Sequence, residues 1–414
     1  MPASSEFPRG PGLSRLLLVT LVDRVGSGMF VPIVVVYLCT SVGLSLGQVG
    51  SALTLAGLVA TLAPLASGAL LRRVDARWVV VGCFLAAAVA LGVYARAHSL
   101  LGVCVAASLL SVATRMERPG TQVMVMRLTP DPIGALAWHQ RVTNVGYGVG
   151  AVVAAGVLSL HSGTAVRVTV LADAVTFLAG AAVVLTLPAM SPQPPPSSSV
   201  GPARRAAVPR RSRVSLYAVH SVLAVHDSLL LVAVPAWIVA SGAPSALNPI
   251  LFGLNTLLVA TLQVRGSRWF ARHARGPAFL LLGAALAVAC ATFAVGTHLS
   301  GVWVVAALVA VVAFVTLGEI GHSASEGWLG VMLSRDLHSG TVMGSLKTGM
   351  SVQQAAGPLL AIVLVTSGGP WGWLLLGGIL VAASALSRRL AAGPSFDDRP
   401  APVPDVESRE GVAA

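Results

Sequence analysis

Glu319, His322 and Glu326 fall at i, i+3 and i+7 in the stretch TLGEIGHSASEGW, with Ser323 beside them. Wound into a helix, they share one face. Two carboxylates and an imidazole on one strip can take up and release protons near neutral pH. The spacing would also suit a metal ion, but no fourth ligand accompanies it, and no metal is expected.

A second charged group lies in LVTLVDRVGSGMFVPIVVVYL, residues 18–38, where Asp23 and Arg24 interrupt an apolar run. Neighbours in sequence diverge by about 100° around a helix, so the two are expected to seek different partners. Asp227, next to His226 in VHDSLLLVAVP, stands at a comparable depth and is the expected partner of Arg24. Arg115, Glu117 and Arg118 in TRMERPG, and Asp173 further on, complete the set of charges within apolar segments. Such groups cost roughly 2.5–3.5 kcal/mol each at a bilayer centre, and persist where they face a cavity, pair, or act. Asp173 is expected to hydrogen-bond within its own bundle.

The elements that must position these groups are membrane spans. Of 414 residues, 55% are hydrophobic and 10% charged, against about 25% charged in a soluble domain, and mean hydropathy is +0.83. Runs of about 20 apolar residues are read at 15–40, 47–71, 78–95, 100–126, 135–159, 165–187, 214–241, 247–264, 277–296, 301–333, 341–367 and 371–387. The fold class is thus an all-α polytopic membrane protein with twelve transmembrane helices. Residues 1–14 form an N-terminal segment, 15–187 and 214–390 two sets of six spans, 188–213 a Pro- and Ser-rich basic linker, and 391–414 a polar, disordered tail.

Alternate gaps carry the arginines: Arg72, Arg73 and Arg77; Arg127; the linker; Arg265, Arg268, Arg272 and Arg275; Arg335. The intervening gaps contain only Arg96. This bias places both termini and the linker in the cytoplasm of a multi-pass protein of the inner (plasma) membrane. The net charge of +12 therefore reads as topology, not as a nucleic-acid patch. No nucleophile–base pair, metal cluster or phosphate loop suggests an enzyme. The four cysteines lie apart in apolar runs and read as buried thiols.

The halves repeat. Asp23 and His226 each stand nine residues before a proline, Pro32 and Pro235. In RLTPDPIGALAWHQR and MLSRDLHSGTVMGSLK, Gly134 and Gly340 each precede a base, Arg141 and Lys347, by seven residues. Both matches have nearly the same offset, which argues for a parallel repeat of six spans, a transporter architecture. Gly146, Gly148, Gly150 and Gly156 permit close helix approach in the fifth span, and Pro358 after Gly357 can loosen the eleventh.

The sequence at this point resembles the major facilitator superfamily. The loop GALLRRVDAR resembles that family's gate loop after the second span: Gly68, Leu70, Arg73 and Arg77 fit, while Arg72 stands for the family's Asp and Asp75 for its second Gly. TRMERPGTQVMVMRLTPD, NVGYGVGAVVAAG, GLNTLLVATLQVRGSR and TLGEIGHSASEGW resemble bacterial drug-efflux members. Arg115 is similar to an arginine that the family associates with proton coupling, with one extra residue before Gly120. The resemblance implies two six-helix bundles around a central cavity, alternating access, no cofactor, and a proton gradient as energy source. It implies proton-coupled export of small, partly apolar compounds by a monomer whose partners are its substrate and the bilayer. The alternatives are uptake of a nutrient or metabolite and a non-transporting sensor. Candidate substrate contacts are Asn144, Tyr147, Trp237, Asn255, Gln263, Gln353 and Gln354.

Overall fold

The computed structural model describes residues 11–160, 162–190, 208–244, 247–393 and 396. Residues 1–10, most of the linker (191–207) and nearly all of the tail expected from 391 onward lie outside the described residues. What is described is helical: α1 (Pro11–Thr40), α2 in two pieces (Leu46–Val59 and Ala63–Leu70), α3 (Ala76–Tyr94), α4 (Leu100–Arg127), α5 (Pro132–Ser159) and α6 (Gly163–Leu185). After the linker come α7 (Arg210–Leu223, continued by Val234–Ala240), α8 (Leu247–His273), α9 (Ala278–Gly296), α10 (Val302–Leu333), α11 (Ser339–Val363) and α12 (Gly369–Ala391).

Length and composition qualify eleven continuous runs as membrane spans, the last of them 53 residues long, Ser339–Ala391. At 1.5 Å per residue a straight helix of that length would reach about 80 Å, against about 30 Å of hydrocarbon. A π-turn at Leu364–Gly368 and a left-handed Gly369 (φ 53°) split it into α11 and α12. Twelve spans result, as the hydropathy pattern predicts. Apolar side chains such as Val152, Leu101 and Leu359, about 70% exposed, form the lipid-facing surface, since no soluble protein could leave so many bare.

Helix starts follow the local sequence. Ser45 and Gln48 form a reciprocal capping box on α2, and the side chains of Asp75, Ser99, Asp131, Ser162 and His338 cap α3, α4, α5, α6 and α11. Each cap satisfies an end N–H that the helix cannot. Three boundaries differ from expectation. α8 runs nine residues past 264, because a helix need not stop where the hydrocarbon stops, and Arg265, Arg268 and Arg272 prolong it beyond the apolar run. α7 begins inside the expected linker. It also breaks at Ala224–Val225, just before His226, and passes through a π-turn, Leu229–Ala233, whereas α1 runs unbroken past Asp23 and Arg24.

The first bundle packs α1 against α5 and α6, and α3 against α4 and α6; the second packs α9 against α10 and α12, and α8 against α10. The bundles meet along α2–α11 and α5–α8. The α2–α11 crossing, at the end of the molecule that carries the termini, is backbone on backbone. A Cβ on Gly68 would lie 2.5 Å from the Gly340 carbonyl oxygen, and one on Gly344 would lie 2.6 Å from that of Pro64. In α5, Gly146 admits the Arg24 side chain and Gly148 admits Thr256 of α8, but Gly156 has no neighbour within 4 Å and does not serve helix approach.

Candidate functional site

In the first bundle Arg24 is the hub. Its Nη2 donates to Glu117 Oε2 of α4 at 2.9 Å, and its Nη1 lies 3.3 Å from Asp23 Oδ2. The guanidinium also stands 5.9 Å from the Tyr147 ring centre on α5. Thr121 donates to the other Glu117 oxygen, one turn along α4. Asp23, Arg24 and Glu117 are each under 5% exposed, so burial forces the charges to pair. Two expectations are corrected here. Asp23 and Arg24 do touch, because the long arginine side chain folds back further than the angle between Cβ vectors suggests. Arg24 does not meet Asp227, because Glu117 is nearer and in its own bundle; Asp227 Oδ1 instead lies 3.3 Å from His226 Nδ1. Asp173 accepts from Thr176 of its own helix.

In the second bundle Glu326 of α10 holds Lys347 of α11 at 2.7 Å. The His220 imidazole of α7 reaches within 3.8 Å of the same carboxylate and stacks on His322 at 4.0 Å between centres, and the His226 ring lies 4.8 Å from that of His322, tilted against it. Glu326 is buried, 6% exposed. Among the described residues no group of three or more His, Cys, Asp or Glu is arranged to hold a metal ion.

Two carboxylates of α10 reach the first bundle. Gln122 Nε2 of α4 donates to Glu326 Oε1 at 2.6 Å. About two turns away, Glu319 accepts from Asn144 Nδ2 of α5 on one oxygen and from Asn255 Nδ2 of α8 on the other, both at 2.8 Å. Glu319 is half-buried, so water can reach it. His226 and Asp227 lie within electrostatic range of it. Glu319, His322 and Glu326 thus share a helix, but each has a different set of partners.

The family model described as Major Facilitator Superfamily matches residues 16–326. The chain belongs to that superfamily. Solved structures agree on the fold. The human organic anion transporter MFSD10 matches at 17% identity and TM-score 0.66, covering 92% of this chain and all of that one. A bacterial homologue of the iron transporter ferroportin, in an outward-facing state, matches at 15% identity and TM-score 0.67, covering 93% and 99%. The E. coli fucose:proton symporter matches at 13% identity and TM-score 0.62, covering 91% and 98%. No curated protein sequence matches the chain. Superfamily membership makes it a transporter, not an enzyme.

The loop that resembles the superfamily's gate loop is tied locally. Asp75 accepts from Arg77 N at 2.8 Å, capping α3, and from Met190 N at 2.7 Å. Arg77 donates to the Leu187 carbonyl at 3.0 Å. Both ties stay within the first bundle, fastening α3 to the end of α6, while Arg72 and Arg73 are exposed and Gly68 sits in the α2–α11 crossing. Arg115 donates to the Gly57 carbonyl of α2. Of the uncharged candidates, Asn144 and Asn255 are at the seam, while the Tyr147 ring stands by Arg24 in the first bundle. Trp237 is buried against Phe293, Gln263 bonds to Ser267 one turn on, and Gln353 donates to Ser228 of α7; these three serve packing in the second bundle. Gln354 is half-buried and has no hydrogen bond to a described residue. The expectations did not include Gln122, His220 and Lys347 in the site. Lys347 was visible as a repeat marker and as the chain's lone lysine, and His220 as an imidazole six residues before His226; Gln122 carried no signal.

Proposed function

We propose that this transporter moves small, partly apolar compounds out of the cell in exchange for protons, by alternating access between its two bundles. The observation that carries this is Glu319, a water-accessible carboxylate held by an asparagine from each bundle. When the seam opens on that side, one amide donor is withdrawn, and a carboxylate that loses a donor binds a proton more readily. Proton binding and seam opening are then one event, which is what coupling requires. The tight α2–α11 crossing is the closed gate on the termini side. With the termini in the cytoplasm, as the arginine distribution argues, that gate is the cytoplasmic one.

The test uses protein reconstituted in vesicles. Glu319→Gln mimics the protonated carboxyl in shape but cannot cycle a proton. Substrate flux driven by a pH gradient is expected to be lost, while exchange of labelled for unlabelled substrate survives. Full uphill transport by this variant would move coupling elsewhere. Loss of exchange as well would make Glu319 a substrate or folding residue.

A further inference from the structure

We infer that the end of the molecule opposite the termini carries a binding site for the phosphate of an anionic phospholipid, between α3, α4 and α6. A groove of about 700 Å³ lies there, lined by Arg96, His98, Ser99 and Arg167 at its polar end and by Val89, Val93 and Leu171 below. Arg96 follows the end of α3, and Arg167 is four residues into α6, about 6 Å along the helix. Both guanidiniums therefore sit at the depth where the bilayer changes from hydrocarbon to headgroups.

Three observations make the occupant an anion with an acyl chain. First, both arginines break the charge pattern of the chain: Arg96 is the single arginine in the gaps on this side, and Arg167 joins it from within α6. Second, neither makes a hydrogen bond or ion pair with a described residue, and the gaps on this side contain no Asp or Glu to pair with them. Two guanidiniums that line one groove at a membrane interface repel each other, and a phosphate that takes two or more N–H donors relieves this. The His98 ring and the Ser99 hydroxyl, at the start of α4, add donors on the same rim. Third, the groove does not end at its polar rim. Val89 is 59%, Val93 39% and Leu171 44% exposed, a strip that faces lipid and fits an acyl chain hanging from the phosphate. Two uncompensated positive charges favour a lipid with net negative charge over a zwitterionic one, whose phosphate is already paired with its own amine.

The site can be read locally. In a variant free of the four native cysteines, Val89→Cys is labelled with a small fluorophore, and the protein is reconstituted with bromine-substituted lipids that quench on contact. Bromo-phosphatidylglycerol is expected to reach half-quenching at about a tenfold lower mole fraction than bromo-phosphatidylcholine, the scale of a charge-assisted bidentate pair. Arg96→Ala with Arg167→Ala is expected to make the two curves coincide; because neither guanidinium hydrogen-bonds or ion-pairs with a described residue, thermal unfolding should change little. Arg96→Lys with Arg167→Lys, a variant that keeps the charge, should retain part of the preference. Coincident curves in the parent protein, or an unchanged preference in the alanine pair, would overturn the assignment. Relief of quenching by millimolar glycerol phosphate would also overturn it, as a site for a free phosphate compound rather than a lipid.

Discussion

The Arg24–Glu117 pair and the Lys347–Glu326 pair are the same device put to different use. Each is a buried base on one helix held by a buried glutamate on another. All the partners of the first pair, Asp23, Thr121 and Tyr147, belong to the first bundle, so rocking the bundles leaves it intact. The second pair is crossed by Gln122 from the opposite bundle and rests against the His220–His322 stack, so rocking the bundles must break or reform part of it. A buried ion pair confined to one bundle fixes the architecture; one that crosses the seam is sensitive to conformation. His139 of α5, buried within electrostatic range of both glutamates and both bases, is where the two systems come closest.

The sharpest way to break the comparison is to remove the first hub. Arg24→Ala strands Glu117 and Asp23 without a counter-charge, and a loss of about 3–5 kcal/mol is expected in thermal or denaturant unfolding in detergent. A double-mutant cycle of Arg24→Ala and Glu117→Ala should be strongly non-additive, whereas Arg24→Ala with Asp227→Ala should be additive to within about 0.5 kcal/mol. Coupling between Arg24 and Asp227 would mean that the first hub reaches across the seam after all.

A smaller effect separates the second pair from the first. Gln122→Ala removes a hydrogen bond to a buried charge across the seam, expected to be worth about 1.5–3 kcal/mol. It acts on the closed state alone, so it should appear as a tenfold or greater rise in maleimide labelling of Leu71→Cys, which the closed α2–α11 crossing covers. Thr121→Ala, on the first hub, should lower stability without raising that labelling. Equal labelling in both variants would remove the distinction.

The smallest expected effect concerns pH. His338, outside the membrane and capping α11 through its Nδ1 to Gly340 N, holds its proton less tightly than the ordinary value of 6.5, first through burial and then through Arg127 and Arg72. Closing the gate thus favours the neutral ring. Its contribution is present above 6.5 and is lost as pH falls through the lowered value. Leu71→Cys labelling should therefore rise modestly on acidification, and His338→Asn, which can still cap the helix, should flatten that rise. An unchanged slope in the variant would assign the pH response to the seam carboxylates.

The spans were legible because hydropathy is a local property: about 20 apolar residues must be helical in lipid wherever they end up. The loop GALLRRVDAR and the i, i+3, i+7 spacing on α10 stood out for a similar reason, as short patterns on a single element. Partner choice was not. Arg24 and Asp227 occupy matching places in the repeat, and the sequence paired them across the halves on that ground. The helix crossing that brings α4 beside α1 puts Glu117 within reach first. Likewise Asp75 looked like a gate residue, and its contacts show a helix cap and a clasp on Met190.

What the sequence by itself determined is the number of spans, the two-part organisation, the side that carries the arginines, and the charged residues that must find partners. What the tertiary structure alone decided is which partners they found. A charge within an apolar helix has a fixed cost that composition reveals. The group that offsets the cost is set by helix packing at ångström resolution, over separations of 93 residues from Arg24 to Glu117 and 204 from Gln122 to Glu326, and no local pattern encodes a distance of that kind.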